Sequence, residues 1–340
     1  MNFIGDFLEL FNKNDDFSIG LFGPSGIGKT TLIAAMIEEF KAFSRDAERK
    51  NSLRLTLKGA NENTNRKLST RINDLKSGIG MGVFTTGTLS GTSEHEEFKL
   101  KFEVEGKFEK NFVMHDFPGG WLDDPDKLKK LDVASWNVCI LPVDACVIME
   151  CAERRYEQKM RVNLGVAQVE EFVSDWLSKR NNNPGLLIIA PIKCESYFAK
   201  PAVSLLVSDK SQILFNKVRE CYKEVLDAVK EKKHIKGLYM PVNTVGCCYL
   251  KKPTWTEDGE FMGQFAISPV KGNNNWRPFG PVYIMFELCQ FIRHCFKCAE
   301  SNGKHLSSRV EAFCRAVDTL EKLAKERDAE QRYERTITLQ

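Results

Sequence analysis

The residues with the clearest capacity for chemistry lie in the segment Phe17–Thr31, which reads FSIGLFGPSGIGKTT. A short apolar run is followed by a glycine-rich turn and then by the start of a helix. Gly23, Gly28, Lys29 and Thr30 match the pattern G-x-x-x-x-G-K-S/T, which is typical of a phosphate-binding loop. The segment therefore predicts an oxyanion site, with an ordinary strand-to-helix turn as the alternative.

The spacing of this loop has a physical reason. Glycines allow successive backbone N–H groups to turn inward around an oxyanion, because no Cβ blocks that conformation. The following helix, predicted from about Thr30 to Ala42, points the positive end of its dipole at the phosphates. Lys29 would reach the β- and γ-phosphates, and the Thr30 hydroxyl would bind Mg²⁺. The predicted nucleotide contacts in the loop are Gly23, Ser25, Gly26, Ile27, Gly28, Lys29, Thr30 and Thr31.

A second phosphate-site pattern, D-x-x-G, occupies Asp116–Gly119. It follows two predicted strands, His95–Glu105 and Phe108–His115, joined by a tight turn at Glu105-Gly106. A carboxylate at a strand end can hold Mg²⁺ through a water molecule, and the backbone of Gly119 can approach a γ-phosphate. Alone this pattern is often a turn, but its position after a phosphate loop favours function.

The elements that must position these loops alternate between strand and helix. Apolar runs predict strands at Val138–Asp144, Leu186–Ala190 and Leu238–Val242. Helical periodicity predicts helices at Asn63–Lys76, Tyr156–Arg180, Ile213–Lys230 and Val282–Cys298. Such alternation indicates an α/β fold with a doubly wound, mostly parallel sheet and a ligand at the carboxyl ends of the strands.

The composition of the chain disfavours several classes of protein, namely nucleic-acid-binding, secreted and membrane-spanning proteins. The chain has 340 residues, 42% of them hydrophobic, and a net charge of +3, which gives no indication of nucleic-acid binding. Eleven cysteines are scattered without a framework, which favours reduced thiols and a cytoplasmic protein. The first residues lack the basic region of a signal peptide, and no apolar run approaches the length of a membrane span.

In this order, the phosphate loop, the hairpin and the D-x-x-G motif resemble the translation-factor-related class of P-loop GTPases, which have the small-GTPase-like fold. The resemblance covers about residues 17–298. It implies a six-stranded sheet with one antiparallel strand, and Mg²⁺ with GTP or GDP as ligands. It also implies a first-switch threonine that closes over Mg²⁺ just before the hairpin; Thr86 is the first choice, with Thr85 and Thr88 as alternatives. The resemblance thus assigns catalytic roles to Lys29, Thr86 and Gly119, and metal binding to Thr30, Thr86 and Asp116.

The base-specificity motif of this class, N/T-K-x-D, corresponds here to Ile192-Lys193-Cys194-Glu195. Lys193 could lie along the base plane, and Glu195 could accept from the guanine N1–H and N2–H₂ groups, as the Asp of the class does. Ile192 cannot supply the hydrogen bonds of Asn or Thr. Guanine is therefore the expected base, and adenine or loose specificity stays open. By position, Asn243–Gly246 corresponds to the last base-contacting loop.

The class places a water-orienting Gln directly after the D-x-x-G motif, where this chain has Gly120. We therefore expect a switch that hydrolyses GTP slowly and acts with a protein partner or a second subunit. A nucleotide-binding scaffold without turnover and an ATP-specific enzyme are the alternatives. The long insert after the phosphate loop is similar to the diverged GTPase-like domains of bacterial conflict systems, which implies a role in antiviral defence.

The resemblance divides the chain into a GTPase-like domain, 1–298, and an amphipathic helical tail, 299–340. The domain carries inserts at about 44–82 and 247–281. In the tail, apolar residues at spacings of four and three form a seam, composed of Leu306, Val310, Phe313, Val317, Leu320 and Ala324. The seam predicts either a helix docked on the domain or a coiled coil with a partner or a second copy.

One cysteine cluster was weighed as a metal site. His294, Cys295 and Cys298 lie close together in the sequence, but they fall within a predicted helix and lack a second ligand pair. Buried thiols are the favoured interpretation. His115, next to Asp116, is interpreted as the last residue of its strand.

Overall fold

A computed structural model describes residues 16–51, 53–85, 94–106, 108–151, 153–180, 183–197, 209–267, 276–301, 306–331 and 336–339. The strands are β1 Phe17–Leu21, β2 Leu55–Gly59, β3 Val83–Thr85, β4 Glu96–Val104, β5 Phe108–Asp116, β6 Val138–Asp144, β7 Gly185–Ile192, β8 Ile235–Tyr239, β9 Cys248–Lys252, β10 Gln264–Ile267 and β11 Ile337–Thr338. The helices are α1 Lys29–Asn51, α2 Glu62–Met81, α3 Pro125–Lys129, α4 Ala145–Glu150, α5 Glu157–Asn163, α6 Val166–Lys179, α7 Asp209–Cys221, α8 Lys223–Lys230, α9 Pro281–Ser301 and α10 Ser308–Gln331.

The main sheet follows the order β11-β8-β7-β6-β1-β5-β4-β2 among the described residues. The five central strands β8, β7, β6, β1 and β5 are parallel, whereas β4 runs antiparallel to both β5 and β2. β6 and β7 are buried along their whole length, as expected for parallel strands covered on both faces. The α/β fold with a large, mostly parallel sheet is thus confirmed.

Helices cover both faces of this sheet. Apolar residues of α1, α9 and α10 pack on one face, and those of α4 to α8 pack on the other. Buried side chains alternate along β4, so Phe98, Leu100 and Phe102 face the first layer. No helix in the described part of the chain has both the length and the apolar character that crossing a membrane requires.

The main sheet has more strands than expected, since the resemblance implied six strands, one of them antiparallel. In the described ranges it has eight strands, because β2 and β11 extend its two edges antiparallel to β4 and β8. β2 lies within the predicted insert 44–82, which therefore adds a strand and the helix α2 to the sheet edge. The stretch 247–281, predicted as irregular, supplies β9 and β10, which form a second sheet with β3.

Two predicted helices are interrupted. The expected helix Tyr156–Arg180 divides into α5 and α6 at Gly165, whose φ of 57° lies in the left-handed region. The expected helix Ile213–Lys230 divides at Tyr222, which is buried. In both cases the apolar periodicity continues across the break, because both pieces pack on the same layer.

The tail helix α10 is docked on the chain itself. Val310, Phe313, Val317 and Leu320 are at most 4% exposed. The Phe313 ring contacts those of Phe102, Phe108 and Phe296, so the helix packs on β4, β5 and α9. Of the two predicted roles for the seam, docking is the one observed.

A buried carboxylate joins two helices of this layer. Glu39 of α1 is 4% exposed and accepts hydrogen bonds from the N–H groups of Gly280 and Val282, at 3.2 and 2.9 Å. Val282 lies in the first turn of α9, where N–H groups have no partner within the helix. Glu39 therefore caps α9 from a neighbouring helix, with its charge at the positive end of the dipole.

We predict that Glu39→Gln lowers the free energy of unfolding by about 1–2 kcal/mol, because a neutral amide accepts these hydrogen bonds more weakly. Urea denaturation followed by circular dichroism measures the change. Glu38→Gln is the matched control: Glu38 is partly exposed and its ion pairs with Lys41 and Lys76 are 3.7 Å long. It should change stability by less than about 0.5 kcal/mol. Equal effects of the two substitutions would contradict the cap.

Candidate functional site

The predicted phosphate residues meet at the carboxyl ends of adjacent parallel strands. β1 pairs with β5 so that Leu21 lies opposite Asp116, and it pairs with β6 so that Leu21 lies opposite Ile140. The loop after β1 therefore emerges next to Asp116. Two segments that are far apart in the sequence thus form one site, at the edge where α/β folds bind ligands.

The loop between β1 and α1 requires glycine at two positions. Gly26 and Gly28 have φ angles of 69° and 109°, in the left-handed region. A Cβ on Gly28 would also lie 3.1 Å from Cδ1 of Ile192, at the end of β7. Gly28 therefore allows both the turn and the close approach of the base-specificity motif. Of the other loop residues, Ile27 is buried in the core, whereas Ser25 is exposed.

The Lys29 side chain folds back into the loop. Its Nζ donates to the carbonyl oxygens of Gly23 and Pro24, at 2.7 and 3.1 Å. The residue is 6% exposed. Burial lowers the pKa of Lys29 from 10.5 to about 8, and the nearby charge of Asp116 opposes part of this shift. The loop thus holds a cation with little solvent around it.

The Thr30 hydroxyl donates to Oδ2 of Asp116. Asp116 has no exposed surface, so its carboxylate is held at the strand end beside the start of α1. Hydroxyl and carboxylate oxygens are the ligands that Mg²⁺ prefers. The two predicted metal-binding residues that the structure describes are therefore in contact, and their donor set fits Mg²⁺.

Gly119 lies directly against the phosphate loop. A Cβ on Gly119 would be 1.8 Å from the backbone nitrogen of Ser25, so no larger residue fits here without moving the loop. A Cβ on Gly120, by contrast, would have no atom within 4 Å. Gly119 thus lies against the backbone of Pro24 and Ser25 in the predicted phosphate loop, whereas Gly120 faces open space.

Lys193 links the predicted base-specificity motif to the predicted phosphate loop. Its Nζ lies 2.5 Å from Oδ2 of Asp144 and 3.3 Å from the carbonyl oxygen of Gly26. The backbone of Lys193 has a φ of 59°, an uncommon conformation for a residue with a side chain. Asp144 also caps α4 by accepting from the N–H groups of Cys146 and Val147. The ammonium of Lys193 therefore joins the end of β7 to the end of β6 through an ion pair and to the loop after β1 through a hydrogen bond.

Glu195 joins the two predicted base loops. Its Oε1 accepts from the N–H groups of Val245 and Gly246, at 2.6 and 3.0 Å. Burial raises the pKa of Glu195, and these two hydrogen bonds oppose the rise. The loop 243–246, assigned by position alone, therefore lies beside Glu195.

Some predicted residues are not placed at the site. Thr86 and Thr88 lie outside the described residues. Thr85 ends β3, where its backbone pairs with Gln264 of β10. Thr31 lies in the first turn of α1.

Sequence reasoning missed Asp144, which was assigned only as the end of a buried strand. The signal for its role was a carboxylate that ends a buried strand, as Asp116 does, and that directly precedes a helix.

Comparisons with known proteins concern the fold. No family model matches the chain, and no curated protein matches it. Among solved structures, the chain is similar to the signal recognition particle receptor SRb-GTP/SRX complex from Chaetomium thermophilum, with 18% identity, 67% of this chain and 91% of that chain covered, and a TM-score of 0.37.

It is also similar to the GTPase-like domain of S. cerevisiae Ski7 in two structures, one bound to GTP and one bound to GDP and inorganic phosphate. Both have 12% identity, cover 88% of this chain and 53% of that chain, and give TM-scores of 0.38 and 0.36. The chain thus spans about half the length of the Ski7 chains. These likenesses concern the course of the backbone, and the case for function rests on the site residues.

We predict that Lys29→Met stabilises the protein while it abolishes nucleotide binding. Burying the Lys29 charge costs about 3 kcal/mol at pH 7 for a pKa shift from 10.5 to about 8, and the lost hydrogen bonds offset part of that. We expect a net gain of about 1–2 kcal/mol in the free energy of unfolding at pH 7.

The gain in stability expected for Lys29→Met depends on pH. The folded pKa of Lys29 is lowered, so the cost is fully present below pH 8 and disappears as the pH rises towards 10.5. The gain measured by denaturation should therefore shrink at pH 9.5. Lys41→Met, on the exposed side of α1, is the control and should leave both stability and binding near the wild-type values. A destabilised Lys29→Met protein would show that this lysine serves the fold.

Proposed function

We propose that this protein binds a guanine nucleoside triphosphate with Mg²⁺, hydrolyses it slowly and acts as a switch with a protein partner. The observation that carries the proposal is the contact of Lys193 with both Gly26 and Asp144. That contact joins the predicted base loop to the predicted phosphate loop. A nucleotide carries its base at one end and its phosphates at the other. A nucleotide site therefore needs a base loop and a phosphate loop that are close enough for one nucleotide to contact both.

The phosphate end is supported by the charge and the backbone of the first loop. Lys29 supplies a cation, and the N-terminus of the 23-residue helix α1 supplies backbone N–H groups and a positive dipole end. Thr30 and Asp116 would hold Mg²⁺, which neutralises charge on the phosphate oxygens when bound. Thr86, expected from the resemblance to close over this metal, remains part of the proposal.

The base end is supported by Glu195. A carboxylate accepts hydrogen bonds and does not donate them, so it complements the adjacent N1–H and N2–H₂ donors of guanine. Adenine presents an acceptor at N1, which would face the carboxylate with like polarity. The amides of Val245 and Gly246 donate to Oε1 of Glu195 and hold this carboxylate in place. This complementarity favours GTP over ATP.

Slow turnover is inferred from Gly120. No side chain at this position can orient an attacking water, so positioning by Lys29 and Gly119 would act alone until a partner completes the site. The same observation favours a second candidate, a scaffold that binds GTP without hydrolysing it. Phosphate release in a single turnover, with enzyme in excess over GTP and Mg²⁺ present, separates the two. The antiviral role implied by the resemblance stays a prediction.

We predict that the wild-type protein binds GTP about tenfold or more tightly than ITP, which lacks the 2-amino group, and binds ATP more weakly still. Glu195→Gln should reduce the GTP/ITP ratio several-fold, because a neutral amide oxygen accepts more weakly than a carboxylate. Calorimetric titration with each nucleotide and Mg²⁺ measures the ratios. Glu153→Gln, at an exposed ion pair with Arg155, is the control. Equal affinities for GTP and ATP would refute the base assignment.

We predict that Gly120→Gln raises the rate of GTP hydrolysis about tenfold or more, because it supplies an amide that can orient water. A Cβ at this position would have no atom within 4 Å. Gly120→Met, which has a similar length but no amide, is the matched control and should hydrolyse GTP at the wild-type rate. If both variants have the same rate, the missing amide does not limit turnover.

A further inference from the structure

Two histidines and a glutamate meet at the hairpin β4–β5, outside the proposed nucleotide site. Glu97 of β4 lies directly opposite His115 of β5 in the antiparallel register. His95 precedes β4 and lies on the same face two positions earlier. One ligand atom from each of the three residues lies within 4.8 Å of the other two. We call this group the hairpin triad.

The distances within the triad match those between ligands of one metal ion. His95 Nε2 lies 3.3 Å from His115 Nδ1, and His115 Nδ1 lies 3.5 Å from Glu97 Oε1. Ligands at about 2.1 Å from a tetrahedral zinc ion are separated by roughly 3.4 Å. The three atoms are thus already spaced as neighbours around one small cation.

Hydrogen bonding alone accounts poorly for this arrangement. The single nitrogen Nδ1 of His115 faces both the Nε2 of His95 and the carboxylate of Glu97. One proton on that nitrogen would have to be shared between two acceptors, and without it the nitrogen would face the carboxylate lone pair to lone pair. A divalent cation would satisfy all three atoms at once.

The surroundings hold the rings in place and leave the site open. The His95 ring stacks on Phe117 with centroids 4.5 Å apart, and the His115 ring stacks on Trp136 with centroids 5.7 Å apart. The two imidazole rings therefore have packing partners of their own. The Glu97 side chain is 57% exposed, so an ion can enter from solvent and keep a water ligand.

We propose that the hairpin triad of His95, Glu97 and His115 binds a divalent transition metal ion of the Zn²⁺ class, with water completing the coordination. Two imidazoles and one carboxylate are a donor set typical of Zn²⁺ and distinct from the all-oxygen set preferred by Mg²⁺. The ion fixes His95 against the strand that carries Asp116. Since the His95 ring also stacks on Phe117 of the D-x-x-G motif, metal binding restricts the motion of this motif.

The test is titration of the Mg²⁺-free full chain with Zn²⁺ in competition with a chromogenic chelator. We expect one ion per chain with micromolar or tighter affinity, weakened about 10–100-fold by Glu97→Gln and more by His95→Asn. Glu97 is exposed, so its variant keeps the fold. Glu109→Gln, on the same hairpin and 55% exposed, is the matched control and should bind as the wild type does.

Substitution with Co²⁺ separates this site from the cysteines of the chain. The hairpin triad predicts visible bands of four- or five-coordinate Co²⁺ without the near-ultraviolet charge transfer of a thiolate. His294→Gln addresses the other pair, in which His294 Nε2 lies 3.5 Å from Cys298 Sγ. Binding that survives in His95→Asn and Glu97→Gln, or that is lost in His294→Gln, overturns the proposal. So does a wild-type protein that binds no Zn²⁺ at 100 µM, a concentration well above the expected dissociation constant.

Discussion

The contact between the Thr30 hydroxyl and the Asp116 carboxylate is the interaction on which the site depends. It exists because β1 and β5 are adjacent, parallel and in register, so that both chains leave the sheet at the same edge. An exchange of strand order would separate the phosphate loop from the D-x-x-G motif. Sheet topology, more than either motif alone, makes these residues a site.

Burial of the Lys29 charge at this edge of the sheet lowers the stability of the fold, and contacts within the protein offset only part of that loss. Lys29 is nearly buried, and its lowered pKa records how strongly that environment disfavours its positive charge. Asp116 opposes the shift without abolishing it. Such sites concentrate where binding, not stability, has selected the residues. A phosphate ligand is the group whose charge would remove the penalty, which is the physical basis for placing the nucleotide here.

Much of the site could be predicted from the sequence because its motifs are local. The spacing of Gly23, Gly28 and Lys29 defines one loop, and Lys193 with Glu195 lies within another. The existence of the central strands, and their mostly parallel pairing, also follow from apolar runs that alternate with helical segments. In these loops and strands, the residues that make the pattern recognisable are close together in the sequence.

The features that the sequence analysis did not predict depend on contacts between segments that are distant in the chain. The edge strand β2 has only five residues, and it exists because β4 offers an unpaired edge. β10 becomes a strand through pairing with β3 and β9, on either side of it in the small sheet. The helix breaks at Gly165 and Tyr222 could not be predicted from periodicity, because the spacing of apolar residues continues from one helix into the next. Asp144 was missed because its partner, Lys193, directly follows the next strand, 49 positions later in the chain.

The hairpin shows how one strand can serve two sites. Side chains alternate along β5, so His115 and Asp116 project from opposite faces although they are adjacent in the chain. The strands β4 and β5 are joined by three residues, 105–107, of which Glu105 and Gly106 have positive φ angles. This connection pairs Val104 with Phe108 and so places Glu97 opposite His115. A two-residue turn at Glu105-Gly106 would have placed Glu97 opposite Met114, so the turn prediction did not give this register, and His115 was interpreted only as a strand end. A metal ion on one face would thus act on the same strand whose next residue contacts Thr30 on the other.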